Sequence, residues 1–135
     1  MARALYLDSS AILRPVLEQG LSPEVESRLA DAEVLVTSRL SLVETARTFL
    51  RVRLLGEKPD DVIADAERSV RSLWHRCEIY ELTREVCELA ETVAPKTHLR
   101  SLDALHLATY VLLRQEIEDL ELLTTDTRLR ATAEL

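Results

Sequence analysis

Four carboxylates in this chain sit where short apolar runs stop or where helical runs leave little polar surface. Asp8 follows Leu5-Tyr6-Leu7 with no turn residue between, and Asp126 ends Leu122-Leu123-Thr124-Thr125 in the same manner. Asp103 lies among Leu102, Ala104, Leu105, Leu107 and Ala108, and Glu44 precedes Arg47, Thr48 and Arg51 by three, four and seven residues. Each has an ordinary explanation when taken singly. Asp8 and Asp126 can cap the helices that follow them, although Ser9 and Ser10 can cap the first helix as well and leave Asp8 for other work. Glu44 can pair with Arg47 for about a few tenths of a kcal/mol. An unpartnered Asp103 among apolar neighbours is unfavourable, so it implies a partner: first-turn amides with the helix dipole, His106, or a metal ion.

Taken together, the four suggest one kind of chemistry. Clustered carboxylates repel one another unless a cation neutralises them. A hard divalent ion, Mg²⁺ or Mn²⁺, takes oxygen ligands, and several of these are commonly water. No histidine and cysteine set has zinc spacing, and Cys77 and Cys87 stand too far apart for a CxxC motif. Reduced, packed cysteines are therefore expected.

The elements that would position these groups alternate. Ala4 to Leu7 reads as a buried strand, followed by a helix capped by Ser9 or Ser10. Ser22-Pro23-Glu24 opens a helix to about Ala30, and Glu33 to Thr37 is a second strand. Leu42, Val43, Ala46, Phe49 and Leu50 recur at helical spacing between Leu40 and Leu54, and Gly56 ends that run. Pro59-Asp60-Asp61 starts a helix carrying Val62, Ile63, Ala66, Val70, Leu73 and Trp74. Ile79 to Leu82 is a third strand, Thr83 caps a helix to about Val93, and Pro95 to Arg100 is a loop. Ser101 opens a helix through Leu113 that is apolar almost all round, and Leu120 to Thr125 is a fourth strand before a short terminal helix. This alternation predicts an α/β fold, a single domain over residues 1–135 with three α/β/α layers around a central parallel sheet. Ligands of such sheets bind beyond the carboxyl ends of the strands, where Asp8 and Asp126 fall.

The bulk properties fit that fold. A chain of 135 residues, 47% hydrophobic and 30% charged, can bury a core without disulfides or structural metal. Arg3 and Asp8 interrupt the first apolar run, and no stretch is long enough to cross a bilayer, so a cytoplasmic protein without membrane attachment is expected. The net charge of −7 argues against a nucleic-acid ligand unless positive potential is local. Arg39, Arg47, Arg51, Arg53, Lys96, His98, Arg100 and Arg128 lie near the acidic motifs in sequence and offer such a rim, or else are ordinary salt-linked surface groups.

Tyr6-Leu7-Asp8-Ser9-Ser10-Ala11, Ser41-Leu42-Val43-Glu44, Arg100-Ser101-Leu102-Asp103-Ala104-Leu105-His106-Leu107-Ala108 and Leu122-Leu123-Thr124-Thr125-Asp126, in that order, resemble the PIN-domain family. The likeness is nearest to the VapC toxins of prokaryotic type II toxin–antitoxin systems. The resemblance implies a PIN-like fold and hydrolysis of RNA phosphodiester bonds with Mg²⁺ or Mn²⁺. It implies Asp8, Glu44, Asp103 and Asp126 as the catalytic set. Asp8, Asp103 and Asp126 would be the metal ligands, and Glu44 would act through water. Ser10 and Thr125 would support the carboxylates, and His106 would be a packing or hydrogen-bonding residue; of the basic rim near the acidic motifs, Arg47 and Arg100 are the residues expected to meet the RNA. A homodimer and a cognate antitoxin protein are further implications.

Three rival readings stand beside this one. Aspartate phosphatases need a second Asp two positions after the first, where this chain has Ser10, and receiver domains need an acidic pair and a lysine after the last strand. The remaining alternative is a catalytically inactive PIN-like scaffold that binds protein or RNA.

Overall fold

Side chains of the first strand, β1 (Ala4–Leu7), are all buried, and they alternate between two cores. Leu5 and Leu7 join one core, while Ala4 and Tyr6 join the other. A strand with both faces covered can be apolar at every position, which is how these four residues read. The computed structural model describes residues 3–133, the side chains of Thr127 and Arg128 excepted.

The other described elements are α1 (Ser9–Glu18), α2 (Pro23–Asp31), β2 (Val34–Ser38), α3 (Arg39–Leu55), α4 (Asp60–Arg76), β3 (Glu78–Tyr80), α5 (Arg84–Ala90), α6 (Ser101–Arg114), β4 (Leu120–Leu123) and α7 (Thr127–Ala133). The four strands form one parallel sheet in the order β3-β2-β1-β4. Leu29, Phe49, Ile63, Val70 and Trp74 from α2, α3 and α4 pack with α1 against one face. Leu107, Tyr110 and Leu113 of α6, with Leu129 of α7, cover the other. The result is the expected α/β/α sandwich around a parallel sheet.

The strand order positions the site. From β1 the chain moves outward through β2 and β3, then returns past β1 to lay β4 on its other side. Parallel crossovers are almost always right-handed, so this reversal of direction puts the later helices on the opposite face. In open sheets of this kind, ligands bind at the carboxyl ends of the strands where the direction reverses. Here those strands are β1 and β4, and Asp8 and Thr124 stand just beyond their ends.

Local signals explain most boundaries. Ser22 Oγ accepts from Val25 N at 3.2 Å with Pro23 opening α2, and Thr83 Oγ1 accepts from Val86 N at 3.2 Å at the start of α5. Gly56 closes α3 with φ +66, a left-handed conformation that suits glycine. Elsewhere the sequence reading shifts. β3 spans Glu78–Tyr80 because it pairs with Val36 to Ser38. β4 ends at Leu123, two residues short of the predicted end, because its partner β1 ends opposite it at Leu7. α5 stops at Ala90 rather than near Val93, and Ala94 takes φ +49 just after it.

A buried polar chain ties α3 to the sheet. Thr37 Oγ1 donates to the Leu7 carbonyl at 2.7 Å and is hydrogen-bonded to Ser41 Oγ, also at 2.7 Å. One turn on, Thr45 Oγ1 donates to the Ser41 carbonyl at 2.6 Å and accepts from Trp74 Nε1 at 3.2 Å. The first turns of α3 are thereby held at the carboxyl end of β1, and Glu44 lies within them. Among the described residues, no helix is long and apolar enough to cross a membrane.

Candidate active site at the carboxyl edge of the sheet

Asp8 occupies the N-cap position of α1, where the sequence suggested Ser9 or Ser10, yet its side chain makes no capping bond. The carboxylate is held across the sheet instead. Ser10 Oγ and Thr124 Oγ1 both donate to Asp8 Oδ2 at 2.6 Å. The group is only 5% exposed, so these charge-assisted bonds compensate for lost hydration. With Oδ2 doubly engaged, Oδ1 is the oxygen available to a ligand, and it lies 3.6 Å from His106 Nε2.

One hydroxyl on Asp8 is that of Ser10, and the second is that of Thr124. Thr125 is exposed, and it reaches this network through its backbone amide, which donates to Ser10 Oγ at 3.4 Å. Because β4 stops at Leu123, Thr124 turns inward and becomes buried. A run of two threonines gave no signal for which hydroxyl would face Asp8.

Glu44 does not pair with Arg47. Its Oε1 accepts from Ser9 Oγ at 3.1 Å and lies 2.7 Å from His106 Nε2. An ionised carboxylate only accepts, so the hydrogen on that contact resides on Nε2. The other ring nitrogen, Nδ1, is hydrogen-bonded to the Tyr6 hydroxyl at 2.8 Å. Burial first, and then the charges of Asp8 and Glu44, push the Tyr6 hydroxyl far above its ordinary pKa, so it stays protonated. His106 is a hydrogen-bonding residue as read from sequence, and the structure places it against two of the four acidic groups.

Asp103, in the first turn of α6, is half-buried rather than enclosed, and the neighbouring Leu102 is exposed. No described residue hydrogen-bonds or ion-pairs with it. Its affinity for a proton is raised by desolvation and then by the charges of Asp126 and Asp8, with Glu44 adding to the rise and His106 opposing it. That pattern puts the four carboxylates in one electrostatic neighbourhood. Asp126 also serves as a cap, because its Oδ1 accepts from Leu129 N at 3.1 Å near the start of α7.

The cationic rim divides. Arg39 binds Glu81 with two contacts of 2.9 and 2.5 Å, and Arg53 binds Glu67 at 3.0 and 3.1 Å, so these two are salt-linked surface groups. Arg47 and Arg100 are exposed and have no ion pair with a described residue. The side chain of Arg128 lies outside the described residues. Cys77 is half-buried and Cys87 is exposed rather than packed, and both are free thiols.

Among the described residues, no three His, Cys, Asp or Glu side chains converge into a ready-made metal cage. The donor set nevertheless fits a hard divalent cation of the Mg²⁺ type, which uses one or two carboxylates and keeps several waters. Asp8 Oδ1 and Asp103, which has no hydrogen bond or ion pair with a described residue, supply such oxygens, and burial followed by the charges of Asp126 and Asp8 raises the proton affinity of Asp103.

Comparison with known proteins agrees with this geometry. The model of the PIN domain matches residues 5–135. A protein named Ribonuclease VapC47, from Mycobacterium tuberculosis, is 33% identical over 117 residues, covering 84% of this chain and 79% of that protein. Ribonuclease VapC46 from the same species is 30% identical over 130 residues, covering 96% of this chain and 90% of that protein. The crystal structure of PAE2754 from Pyrobaculum aerophilum superposes with a TM-score of 0.67 at 21% identity, covering 98% of this chain and 81% of that one, which bears on the fold. With the parallel sheet, the acidic edge and these matches in agreement, the chain belongs to the PIN domain family.

Proposed function

We propose that this protein is a VapC-type toxin, an endoribonuclease that hydrolyses RNA phosphodiester bonds with Mg²⁺ or Mn²⁺. The reading rests above all on Asp8: a buried carboxylate with one oxygen fixed by Ser10 and Thr124, at the strand-order reversal, within the field of three other acidic groups. Relatives named as ribonucleases, covered over most of their length, support the nuclease class.

Asp8 and Asp103 would hold the ion, with Asp126 as a further ligand. When bound, the ion supplies positive charge against the phosphate oxygens and lowers the pKa of a coordinated water. The chain's own residues do the rest. Ser10 and Thr124 keep the Asp8 carboxylate from rotating. Glu44 accepts the proton of the attacking water or orients it. Arg47 and Arg100, which form no ion pair with a described residue, attract the RNA backbone, so local potential outweighs the net charge of −7. A cognate antitoxin, a homodimer and a cytoplasmic location belong to the same reading.

The inactive-scaffold alternative predicts cation binding without turnover. Calorimetric titration with Mn²⁺, run beside cleavage of total cellular RNA, separates the two. Under the proposed function, wild type binds Mn²⁺ and cuts RNA, while Asp8→Asn and Asp103→Asn weaken both. Binding without cleavage favours the scaffold, and absence of Mn²⁺ binding refutes the acidic site.

A further inference from the structure

His106 is nearly sealed from solvent, at 1% exposure, and its ring is hydrogen-bonded on both sides. Burying an imidazole costs hydration, and a leucine would fill the space in a core already lined by Leu107, Tyr110 and Leu113. Packing alone therefore gives no reason for a histidine. What the ring does is link β1 to α3 through hydrogen bonds on both of its nitrogens. Tyr6 on β1 backs Nδ1, and Nε2 reaches across to Glu44 on α3. Tyr6 is itself held edge-on between the His106 and Tyr110 rings, at centroid distances of 5.9 and 6.1 Å.

Glu44 needs such a hold. Its side chain is partly exposed, has several rotatable bonds, and shares the edge with the charges of Asp8, Asp103 and Asp126. Like charges would drive an unrestrained carboxylate outward into water. Two donors oppose this, Ser9 Oγ and His106 Nε2, and both bind the same oxygen, Oε1. Among the described residues, Oε2 accepts no bond. The carboxylate is thus presented with one oxygen occupied and one available.

We propose that His106, braced by Tyr6, is the positioning residue of Glu44: it clamps Oε1 so that Oε2 alone faces the reacting water and Glu44 is kept from chelating the cation through both oxygens. The proposal rests on the ribonuclease reading and adds to it a role for a residue outside the acidic set.

The test is steady-state cleavage of a single-stranded RNA oligonucleotide, taken from a mapped cut in total RNA, by the full chain with Mn²⁺. His106→Leu is expected to lower kcat about 10- to 100-fold, as loss of an orienting partner does, with KM changed less than about twofold. His106→Gln keeps an amide N–H able to reach Glu44 and is expected to recover most of kcat. His106→Asn directs its amide toward Tyr6 and is expected not to. In a Glu44→Ala background, His106→Leu is expected to lower kcat no further, because its effect passes through Glu44. Calorimetric Mn²⁺ affinity is expected to hold or tighten in His106→Leu. Circular dichroism melting identifies a variant that fails to fold, and the Gln and Asn pair then carries the comparison.

Equal kcat in His106→Leu and wild type overturns the proposal, as does an undiminished effect in the Glu44→Ala background or equal activity of the Gln and Asn variants. Wild type that cuts no RNA removes the nuclease reading and this proposal together. Wild type that cuts, beside a His106→Leu that cuts equally well, removes the proposal alone.

Discussion

Replacing Thr124 by Val removes one hydroxyl and nearly preserves volume, so it isolates what that hydroxyl does for Asp8. Thr124 Oγ1 donates to Asp8 Oδ2 at 2.6 Å and accepts from Asp126 N at 3.0 Å, and the side chain is buried. A hydrogen bond to a charged group contributes about 1.5–3 kcal/mol, and an ordinary one about 1 kcal/mol. Ser10 remains on the same oxygen, so the lower end applies to the first term, and Thr124→Val should lose about 2–3 kcal/mol. For a chain of this size each kcal/mol moves the melting temperature by about 3–5 °C, giving a fall of about 6–15 °C. Ser10→Ala removes a bond of equal length, but Ser10 is half-buried, water can replace it, and its loss should be about half as large. Thr124→Ser keeps the hydroxyl and should sit near wild type. Differential scanning calorimetry in EDTA at pH 7 measures all three. A Thr124→Val melting temperature within about 2 °C of wild type, or a larger loss for Ser10→Ala, would refute the reasoning.

Two more predictions concern charge. Because burial and the charges of Asp126 and Asp8 raise the proton affinity of Asp103, the folded chain holds this proton more tightly than the unfolded one. Without metal, stability therefore falls as pH rises through the ordinary aspartate range and on through the raised folded value, above which the full penalty is present. Asp103→Asn should flatten that slope and raise the metal-free melting temperature while lowering RNA cleavage by more than about 100-fold. A lowered melting temperature with an unchanged pH slope would contradict this. Arg47→Ala and Arg100→Ala should each raise KM, leave the melting temperature unchanged, and reduce the slope of log affinity against log salt by about 0.7. Arg39→Ala, whose guanidinium already binds Glu81, should change that slope less, and equal slopes in all three would count against an RNA-facing role.

The layered parallel fold was legible because its signals are local and repeated. Short apolar runs, helix caps at Ser22 and Thr83, and the stop at Gly56 each follow from one or a few residues. Strand ends were less legible because they depend on a partner. β4 stops where β1 does, and no residue between Leu120 and Thr125 announces that limit. The acidic residues were identifiable from the apolar runs beside them, but their partners were not. Glu44 looks like one half of a helical pair with Arg47, yet it turns to His106, 62 positions along the chain. Thr124 meets Asp8 across 116 positions, through a pairing of β1 with β4 that neither segment states alone. Long-range register, not local propensity, decides which hydroxyl and which imidazole complete the edge.

The central claim is best tested by incubating purified, antitoxin-free protein with total cellular RNA and Mg²⁺ or Mn²⁺, beside an EDTA control and the Asp8→Asn variant. The account predicts discrete fragments that need the metal and disappear in both controls. Intact RNA in every lane, or fragments that persist with EDTA or Asp8→Asn, would contradict it.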